Sequence, residues 1–273
     1  HSYFHQTVTA TGRISSSDPN LQNIPTRTEL GKNLRKAFKP KENCIFIDAD
    51  YSQVELRVFA HISQDEKMIN AFKNGIDIHR EVAARVLGKK LEDVTPAERT
   101  SAKAVNFGIV YGISDFGLSE QLRVPIKQAK EYIESYLGKY NGVKKFMDNI
   151  KEDAKEKGYV ATMFGRRRYL PELKSANFMI RQFGSRAAIN MPIQGTAADI
   201  MKLAMIEVQK QIEKQELKTK IVLQIHDELL LEVPLEEEKK VKELLKNSME
   251  NVVKLTVPLI AEVSEGNDWA ECK

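Results

Sequence analysis

CIFIDADYSQVELRVFAHI, residues 44–62, joins a strand-like run to a helix-like run without a connecting loop. Its first seven residues are mostly apolar and rich in β-forming side chains, which predicts a buried strand from Cys44 to Asp50. Ser52 is followed three positions later by Glu55, the spacing of a helix capping box. We therefore predict that the strand passes directly into a helix, with Asp50 at the junction.

Helical periodicity continues from residue 53 to about residue 158. The sequence TPAE at 95–98 combines an N-cap threonine, a proline at the first helical position and a glutamate at the third. This pattern predicts a helix from Pro96 to about Tyr111. The middle of the chain is therefore expected to be a mainly helical insertion.

The segments on either side of this insertion contain the predicted strands. Residues 221–225 and 229–233 are apolar runs separated by the acidic tip His226-Asp227-Glu228, which predicts an antiparallel hairpin. Residues 259–263 are also strand-like, whereas residues 1–39 are polar and predict loops and short strands. Strands that flank a helical insertion indicate an α+β fold.

Two further helices are predicted after the insertion. Thr196 and Asp199 have N-cap spacing at the head of an amphipathic run toward Lys214, which predicts a new helix beginning at Thr196. Residues 236–253 have helical periodicity as well.

Length and composition limit the classes of protein that the chain can belong to. It has 273 residues, enough for two compact units, with 42% hydrophobic and 29% charged residues and no apolar run near the ~18 residues of a membrane span. We expect a soluble protein, and its net charge of +4 permits a polyanionic partner without requiring one. Because the sequence begins with His1 and not with an initiator methionine, we also expect the natural chain to begin upstream.

Cysteine and histidine usage excludes several kinds of site. Cys44 and Cys272 are the two cysteines of the chain, so a disulfide framework or a thiolate metal site is not expected. The five histidines lack the spacing of zinc ligands. This usage favours a reducing, cytoplasmic location.

Two carboxylates are predicted to project from the ends of rigid β elements. Asp50 ends the first strand and Asp227 lies at the hairpin tip, and a pair of aspartates completed by substrate phosphates is a suitable site for Mg²⁺. The alternative for Asp227 is a solvated acidic loop. Asp48 lies on the same strand face as Asp50, so the pattern alone does not choose between them.

Four residues at intervals of four lie on the helix that begins at Pro96: Arg99, Lys103, Phe107 and Tyr111. Two cations followed by two aromatic rings could bind a triphosphate at one end and stack on a sugar or base at the other. The alternative is a solvated basic turn followed by core aromatics. A further basic run, residues 166–168 followed by Tyr169, could bind phosphate or form an exposed turn.

Taken together, these segments resemble the bacterial DNA polymerase I family along essentially the whole chain. The resemblance is carried by the four residues just named and by the strings TGR at 11–13, DPNLQNIP at 18–25, DYSQVELR at 50–57, QGTA at 194–197 and HDE at 226–228. It favours Asp50 over Asp48 as a metal ligand. It implies a right-hand fold, with an antiparallel palm in residues 1–60 and 186–273 and helical fingers in residues 61–185. The thumb is expected upstream of His1.

The resemblance also implies a two-metal polymerase reaction with Mg²⁺ as cofactor. Asp50, Asp227 and the main-chain carbonyl of Tyr51 would bind two ions, with Glu228 close by. Arg99, Lys103 and His79 would bind the triphosphate, and Lys103 is a candidate proton donor to the leaving group.

The remaining implied contacts are with the nucleotide and the DNA. The residues implied for the sugar and base region are Gln53, Glu55, Phe107 and Tyr111, with Glu55 filling the space that a ribose 2′-hydroxyl needs. Those implied for primer-template DNA are Arg13, Asn20, Gln22, Arg186, Asn190, Gln194 and His226. Deoxynucleoside triphosphates and primer-template DNA are the expected partners of a monomer that does not associate with membranes.

Two other functions compete with this interpretation. A single-subunit RNA polymerase would need room for the 2′-hydroxyl, and Glu55 argues against it. A nucleic-acid-binding module that has lost catalysis would lack a carboxylate or a triphosphate-binding cation, and the sequence contains all of them.

Overall fold

The chain forms helices and antiparallel strands, and the computed structural model describes residues 1–26 and 28–272. The strands are β1 (Tyr3–His5), β2 (Ser15–Ser17), β3 (Cys44–Tyr51), β4 (Tyr159–Ala161), β5 (Arg167–Tyr169), β6 (Lys220–Ile225), β7 (Glu228–Pro234) and β8 (Ala261–Gly266). The helices are α1 (Glu29–Lys36), α2 (Val54–Ser63), α3 (Glu66–Lys73), α4 (Ile78–Leu87), α5 (Pro96–Val110), α6 (Asp115–Leu122), α7 (Ile126–Lys139), α8 (Asn141–Lys157), α9 (Phe178–Lys214) and α10 (Glu238–Asn251). The predicted α+β class is confirmed.

Strand β3 lies inside a four-stranded antiparallel sheet of order β6-β7-β3-β8. Its side chains Ile47 and Ala49 are fully buried, as expected for the apolar run of an interior strand. The antiparallel register places Asp50 opposite Glu228, the first residue of β7. The strand and the hairpin predicted from the sequence are confirmed, and β8 begins two residues later than predicted.

The chain divides into two compact units. The first comprises residues 1–54, 197–254 and 259–273, and it contains the four-stranded sheet. The second comprises residues 55–196 and 255–258, and it contains the helices from α2 to α8 with the small β4-β5 hairpin. The helical character predicted for residues 53–158 is therefore confirmed.

The start of α5 has the predicted capping box. The Thr95 hydroxyl oxygen accepts a hydrogen bond from the Glu98 backbone N–H, and Glu98 Oε2 accepts one of 2.9 Å from the Thr95 backbone N–H. Pro96 occupies the first helical position, where its missing N–H is not needed. The helix ends at Val110 with Tyr111 as its C-cap, one residue from the predicted end.

The predicted helix start at Thr196 is wrong, because α9 runs continuously from Phe178 to Lys214. Thr196 is buried within this helix, and its hydroxyl oxygen accepts a 3.1 Å hydrogen bond from the Met163 backbone N–H. The hydroxyl thus binds the turn of the β4-β5 hairpin, not the N–H groups of a new helix. Sequence spacing does not distinguish these two uses of a threonine.

One other local prediction needs correction. Helix α1 lies in the segment predicted as loop and short strand, and the Thr28 hydroxyl caps it by accepting from the Gly31 N–H at 3.1 Å. Helix α2 begins at Val54, so the strand passes into the helix through Ser52 and Gln53, and Gln53 has a φ of 54°. The capping box of Ser52 and Glu55 stays a prediction.

Over the described ranges, no helix is long and apolar enough to cross a membrane.

Candidate active site

Two aspartates of the first unit lie at one edge of its sheet. Asp50 is exposed at the end of β3, and Asp227 is half-buried in the two-residue turn between β6 and β7. The backbone joins these positions, because the Tyr51 N–H donates a 3.1 Å hydrogen bond to the Asp227 carbonyl. Both side chains line an open cavity of about 470 Å³ together with His226 and Glu228. Rigid strand ends thus present two carboxylates to the same space.

Burial separates the two aspartates of β3 that the sequence pattern could not separate. Asp48 is 2% exposed, whereas Asp50 is exposed and lines the cavity. The positive charge of Arg35, a buried side chain whose guanidinium carbon lies 4.0 Å from the centre of the Trp269 ring, acts on Asp48 and Glu228. Burial lowers the pKa of Arg35, and these two carboxylates oppose that effect. Asp48 is therefore suited to a structural role in the core and Asp50 to a role as a ligand.

The donor set at the cavity fits a divalent ion that is coordinated partly by the protein and partly by water or substrate oxygens. Within residues 1–26 and 28–272, no group of three or more His, Cys, Asp and Glu side chains is arranged to hold a metal alone. Two carboxylates on an open cavity meet the requirement of Mg²⁺, which commonly binds through one or two carboxylates plus phosphate oxygens. A closed structural site is not expected here.

The turn that carries Asp227 also contacts two residues predicted to bind DNA. Arg13 Nη2 lies 3.6 Å from Asp227 Oδ1. His226 is exposed and has a φ of 53°, in the left-handed region that few residues other than glycine adopt. Backbone of this kind often occurs at functional sites. Arg13 is therefore next to the carboxylate edge, and the DNA contacts of both residues stay predictions.

The other predicted DNA-binding residues of this unit make contacts inside the protein. Gln22 is buried, and its amide nitrogen donates 3.0 Å and 3.1 Å hydrogen bonds to the carbonyl and the side-chain oxygen of Gln224. The Asn20 side chain accepts from the Gln22 N–H and from the Ser16 hydroxyl. Gln22 thus braces the strand that leads to the His226 turn. No direct DNA contact is needed to explain either side chain.

Tyr51 and Gln53 lie in the chain between Asp50 and the first residue of α2. Gln53 has a left-handed backbone, and its buried Oε1 has no hydrogen-bond partner among the residues that the structure describes. The Tyr51 hydroxyl donates a 2.6 Å hydrogen bond to the Met249 carbonyl, and burial raises its pKa. The Tyr51 side chain is thus part of the core, so only its main chain is available for the predicted metal contact.

In the second unit, α5 presents the predicted cationic and aromatic residues. Arg99 Nε lies 2.5 Å from Asp77 Oδ2, while Lys103 is exposed with its ammonium 5.9 Å from the centre of the Phe107 ring. Phe107 and Tyr111 have ring centres 6.3 Å apart. The four residues therefore follow one another along the helix as the spacing predicts.

Asp77 is a functional candidate that the sequence reasoning missed. Its side chain caps α4 by accepting from the backbone N–H groups of His79 and Arg80, and it also pairs with Arg99. Burial alone would raise the pKa of Asp77. The hydrogen bonds from Arg99 and the Arg80 N–H lower it by more than burial raises it, so the net pKa is below its usual value. An aspartate two residues before a histidine at a helix start was the available signal.

His79, the third predicted triphosphate contact, is almost fully buried next to α5. Its exposed fraction is 1%, and its ring centre lies 6.0 Å from that of Phe107. The ring nitrogen Nδ1 lies 2.6 Å from Asn106 Nδ2. Asn106 was not predicted as a site residue, since nothing in the spacing of α5 distinguishes it.

Glu55 and Tyr111 are brought together by a 2.6 Å hydrogen bond from the tyrosine hydroxyl to Glu55 Oε2. Glu55 is buried at the start of α2, and Tyr111 is half-buried. The carboxylate is therefore held by a side chain from the end of α5. A purely capping role for Glu55 does not explain this contact.

The predicted DNA-binding residues of α9 share one helix face. Arg186, Asn190 and Gln194 are four residues apart and half-exposed, although nearly all other residues from 187 to 200 are buried. Gly112, after α5, has a φ of 67°, and a Cβ there would lie 3.4 Å from the Arg186 side chain.

The basic run at residues 166–168 is separate from this helix face. Arg167 lies in β5 with its guanidinium 4.7 Å from the centre of the Tyr159 ring.

Comparison with known proteins gives the family of this chain. The model of DNA polymerase family A matches residues 1–271. DNA polymerase I of Caldicellulosiruptor bescii is 54% identical over 273 residues, which are 100% of this chain and 32% of that protein. DNA polymerase I of Bacillus subtilis is 50% identical over 274 residues, which are 100% of this chain and 31% of that protein. The chain thus spans about a third of the length of these curated relatives.

The fold agrees with the sequence comparison. The POL domain of Pol1 from M. smegmatis, in complex with DNA primer-template and dNTP, has a TM-score of 0.96 and 44% sequence identity, covering 100% of this chain and 48% of that one. The sheet that carries Asp50 and Asp227 and the helix that carries Arg99 and Lys103 are thus parts of one known polymerase domain fold. On the match over residues 1–271 and this shared fold, the chain belongs to DNA polymerase family A.

Proposed function

We propose that this chain is the catalytic part of a template-directed DNA polymerase that adds deoxynucleotides to a primer 3′-hydroxyl and releases pyrophosphate. The observation that carries the proposal is the presence of Asp50 and Asp227 on one open cavity, at the ends of strands that fix their positions. The relative from M. smegmatis is a complex with primer-template DNA and dNTP, which supports the same ligands here.

Family A DNA polymerases use divalent metal ions, and we propose two Mg²⁺ ions for this chain. Asp50, Asp227 and the Tyr51 carbonyl would hold them, with the buried side chain of Glu228 on the lining of the same cavity. Bound ions would lower the pKa of the attacking hydroxyl and neutralise charge on the leaving phosphates. Arg13, 3.6 Å from Asp227, limits the negative charge of the carboxylate edge.

Helix α5 supplies the groups that would bind the triphosphate. Arg99 is held by Asp77, so its guanidinium is positioned before a nucleotide arrives. Lys103 is exposed and carries a compact charge, which suits it to donate a proton as negative charge develops on the departing pyrophosphate. His79 would add a third contact to the phosphates.

Sugar and base selection would depend on the aromatic end of α5. Phe107 would cover the sugar, and Glu55, held by Tyr111, would occupy the space required by a 2′-hydroxyl. Gln53 would contact the same nucleotide. Excluding that hydroxyl by filling its space makes the site selective for deoxynucleotides.

The DNA would be bound by polar groups that read shape more than sequence. Arg13 and Gln194 would donate to the minor-groove acceptors that all correct base pairs present. The remaining proposed DNA contacts are Asn20, Gln22, Arg186, Asn190 and His226. Because Gln22 is buried on Gln224, its effect on DNA would be indirect, through the turn that carries His226.

The test is primer extension with Mg²⁺ on two templates of different sequence, using deoxynucleotides in one series and ribonucleotides in the other. We expect products that follow each template and a strong preference for deoxynucleotides. Equal use of ribonucleotides would indicate an RNA polymerase. DNA binding without extension would indicate a module that has lost catalysis, and either result would contradict the proposal.

A further inference from the structure

A buried pair of polar side chains joins the first turn of α4 to the middle of α5. Asn106 is fully buried and His79 is 1% exposed, so both polar groups are removed from solvent. Asn106 Nδ2 lies 2.6 Å from His79 Nδ1. Burying two polar side chains is unfavourable unless they bind each other or a ligand, so this pair needs an explanation.

The chemistry of the amide determines the form of the imidazole. An amide nitrogen carries hydrogens and no available lone pair, so it donates, and Nδ1 must accept with its lone pair. In a neutral imidazole the proton is then on Nε2. Nε2 is itself buried and has no hydrogen-bond partner within the described part of the chain. Asn106 Oδ1 is likewise buried without a partner there, so the pair leaves one N–H donor on the imidazole and one acceptor on the amide for a ligand.

The charges around His79 favour the neutral ring. Burial lowers the pKa of His79 to about 4, Asp77 opposes this effect, and Arg99 and Lys103 reinforce it. His79 also lies in the first turn of α4, where the helix dipole disfavours a cation. At neutral pH the ring is therefore uncharged, and its tautomer decides whether Nε2 presents a proton or a lone pair.

We infer that Asn106 is a positioning residue, which fixes His79 in the tautomer protonated on Nε2 so that His79 meets a phosphate oxygen of the incoming nucleotide as a hydrogen-bond donor. The opposite tautomer would place a lone pair against an anionic oxygen, and that contact would be repulsive. The identity of the ligand rests on the proposed function. The tautomer is a property of the chain alone.

The first test measures the tautomer directly, without catalysis. The chain is labelled with ¹⁵N-histidine, and its imidazole nitrogens are observed by NMR between about pH 6 and 8, where an unperturbed histidine titrates. His79→Gln identifies the signals of His79 among those of the five histidines. We expect a protonated Nε2 and an unprotonated Nδ1 across this range. Protonation of Nδ1 in the neutral ring would overturn the inference.

The second test reverses the tautomer with Asn106→Asp. A carboxylate accepts from Nδ1–H and raises the pKa of His79. Below that pKa the charged ring donates from both nitrogens, so a triphosphate still binds. Above it the proton stays on Nδ1, and Nε2 presents its lone pair. Binding of dATP should therefore weaken as pH rises, by about tenfold or more, the effect of losing one hydrogen bond to a charged group.

The matched control repeats Asn106→Asp in the His79→Gln background. Glutamine presents an amide N–H near the position of Nε2 whatever residue occupies position 106. We expect no pH-dependent loss of dATP binding in the double variant. An equal, pH-independent loss in both backgrounds would show that Asn106 acts only through packing and would overturn its positioning role. Absence of dATP binding by the unmodified chain would instead contradict the proposed function, with the tautomer measurement unaffected.

Discussion

The hydroxyl of Tyr111 donates a 2.6 Å hydrogen bond to Glu55 Oε2, joining the end of α5 to the start of α2. Glu55 is buried, so its carboxylate depends on hydrogen bonds to remain in position. The family resemblance implies a role at the sugar for Glu55 and at the base region for Tyr111, and the sequence gives no sign that the two side chains bind each other. If Glu55 excludes the 2′-hydroxyl, the position of its carboxylate depends on Tyr111.

We expect Glu55→Ala to raise ribonucleotide incorporation far more than it lowers stability. The change opens the space of the 2′-hydroxyl, whereas loss of a helix cap costs ~0.5 to 2 kcal/mol and should not affect sugar choice. The measurement is competition between ribonucleotides and deoxynucleotides in primer extension, with thermal unfolding of the same variant. Unchanged sugar selectivity with a lower melting temperature would favour a role in helix capping alone.

Tyr111→Phe should reproduce part of this effect with the ring retained. Removing one hydrogen bond to a charged group typically costs about 1.5 to 3 kcal/mol, so the carboxylate should become less constrained. Because the carboxylate itself is retained, selectivity should fall by less than in Glu55→Ala. The ratio of ribonucleotide to deoxynucleotide incorporation is measured for both single variants and for the double variant. If Tyr111→Phe reduces selectivity in the Glu55→Ala background as well, Tyr111 does not act through Glu55.

Asp50→Asn and Asp227→Asn should each remove nearly all nucleotide addition while leaving the fold intact. Asparagine has nearly the same shape and volume as aspartate, so neither change leaves a void, but each removes a negative charge from the cavity that forms the proposed metal site. The measurement is kcat in primer extension. A tenfold fall in kcat corresponds to a loss of roughly 1.4 kcal/mol of barrier stabilisation. If a variant keeps more than about a tenth of wild-type kcat, the aspartate that it lacks is not a metal ligand.

Asp48→Asn is the matched control for these variants, because it makes the same chemical change on the same strand face. Asp48 is buried near Arg35, so this change should lower the free energy of unfolding more than the other two do. Denaturant unfolding of the three variants is the measurement. Full loss of kcat in Asp48→Asn with unchanged stability would reverse the roles given to Asp48 and Asp50.

Most of the secondary structure could be predicted because it depends on neighbouring residues. The apolar run of β3 and the TPAE start of α5 each specify local geometry, and both elements occur within a residue of the prediction. Thr196 shows where local reasoning fails, since its hydroxyl binds Met163, 33 residues away. The same amino acid at the same spacing is an N-cap in one context and a tertiary contact in another.

The candidate site was predictable from the residues alone only where they recur in a recognisable pattern along the sequence. Arg99 and Lys103 are evident from their spacing. Asp77 and Asn106 become site candidates only through contacts with residues 22 and 27 positions away. Such contacts depend on how α4 packs on α5, and a single sequence does not contain that information.

Asp77→Asn should raise the KM for nucleotides without removing the α4 cap. Asparagine remains a good N-cap, so backbone hydrogen bonding is kept, while the charge that holds Arg99 is lost. Asp77→Ala should lose both the cap of α4 and the charge that holds Arg99, and the lost cap should destabilise the chain by a further ~0.5 to 2 kcal/mol. Steady-state kinetics and denaturant unfolding separate these effects. Equal KM values for Asp77→Asn and the unmodified chain would show that Arg99 needs no anchor.

The contribution of Asp77 should also depend on pH in a defined direction. Its pKa in the folded chain is below the ordinary value of 3.8, so the stabilisation is fully present above that value and is lost as pH falls through the lower, folded pKa. The difference in unfolding free energy between the unmodified chain and Asp77→Asn should therefore be constant near neutral pH and shrink in strong acid. A difference that stays constant into strong acid would indicate that the charge of Asp77 contributes nothing.

Phe107→Tyr should improve the use of nucleotides that lack a 3′-hydroxyl. Phe107 lies one turn beyond Lys103, and its ring is half-buried between those of His79 and Tyr111, with centres 6.0 Å and 6.3 Å away. If this ring covers the sugar, a phenol oxygen could replace the missing polar group beside the triphosphate. The measurement is the ratio of dideoxynucleotide to deoxynucleotide incorporation in competition.

Phe107→Leu is the control, because it keeps an apolar side chain and adds no oxygen. It should weaken binding of both nucleotides without improving the relative use of dideoxynucleotides, since the lost ring contact is common to both sugars. A gain in Phe107→Tyr alone would locate the 3′ position of the sugar next to this ring. Equal ratios in Phe107→Tyr and the unmodified chain would mean that the ring lies elsewhere on the nucleotide, and the proposed order of phosphate, sugar and base along α5 would then be wrong.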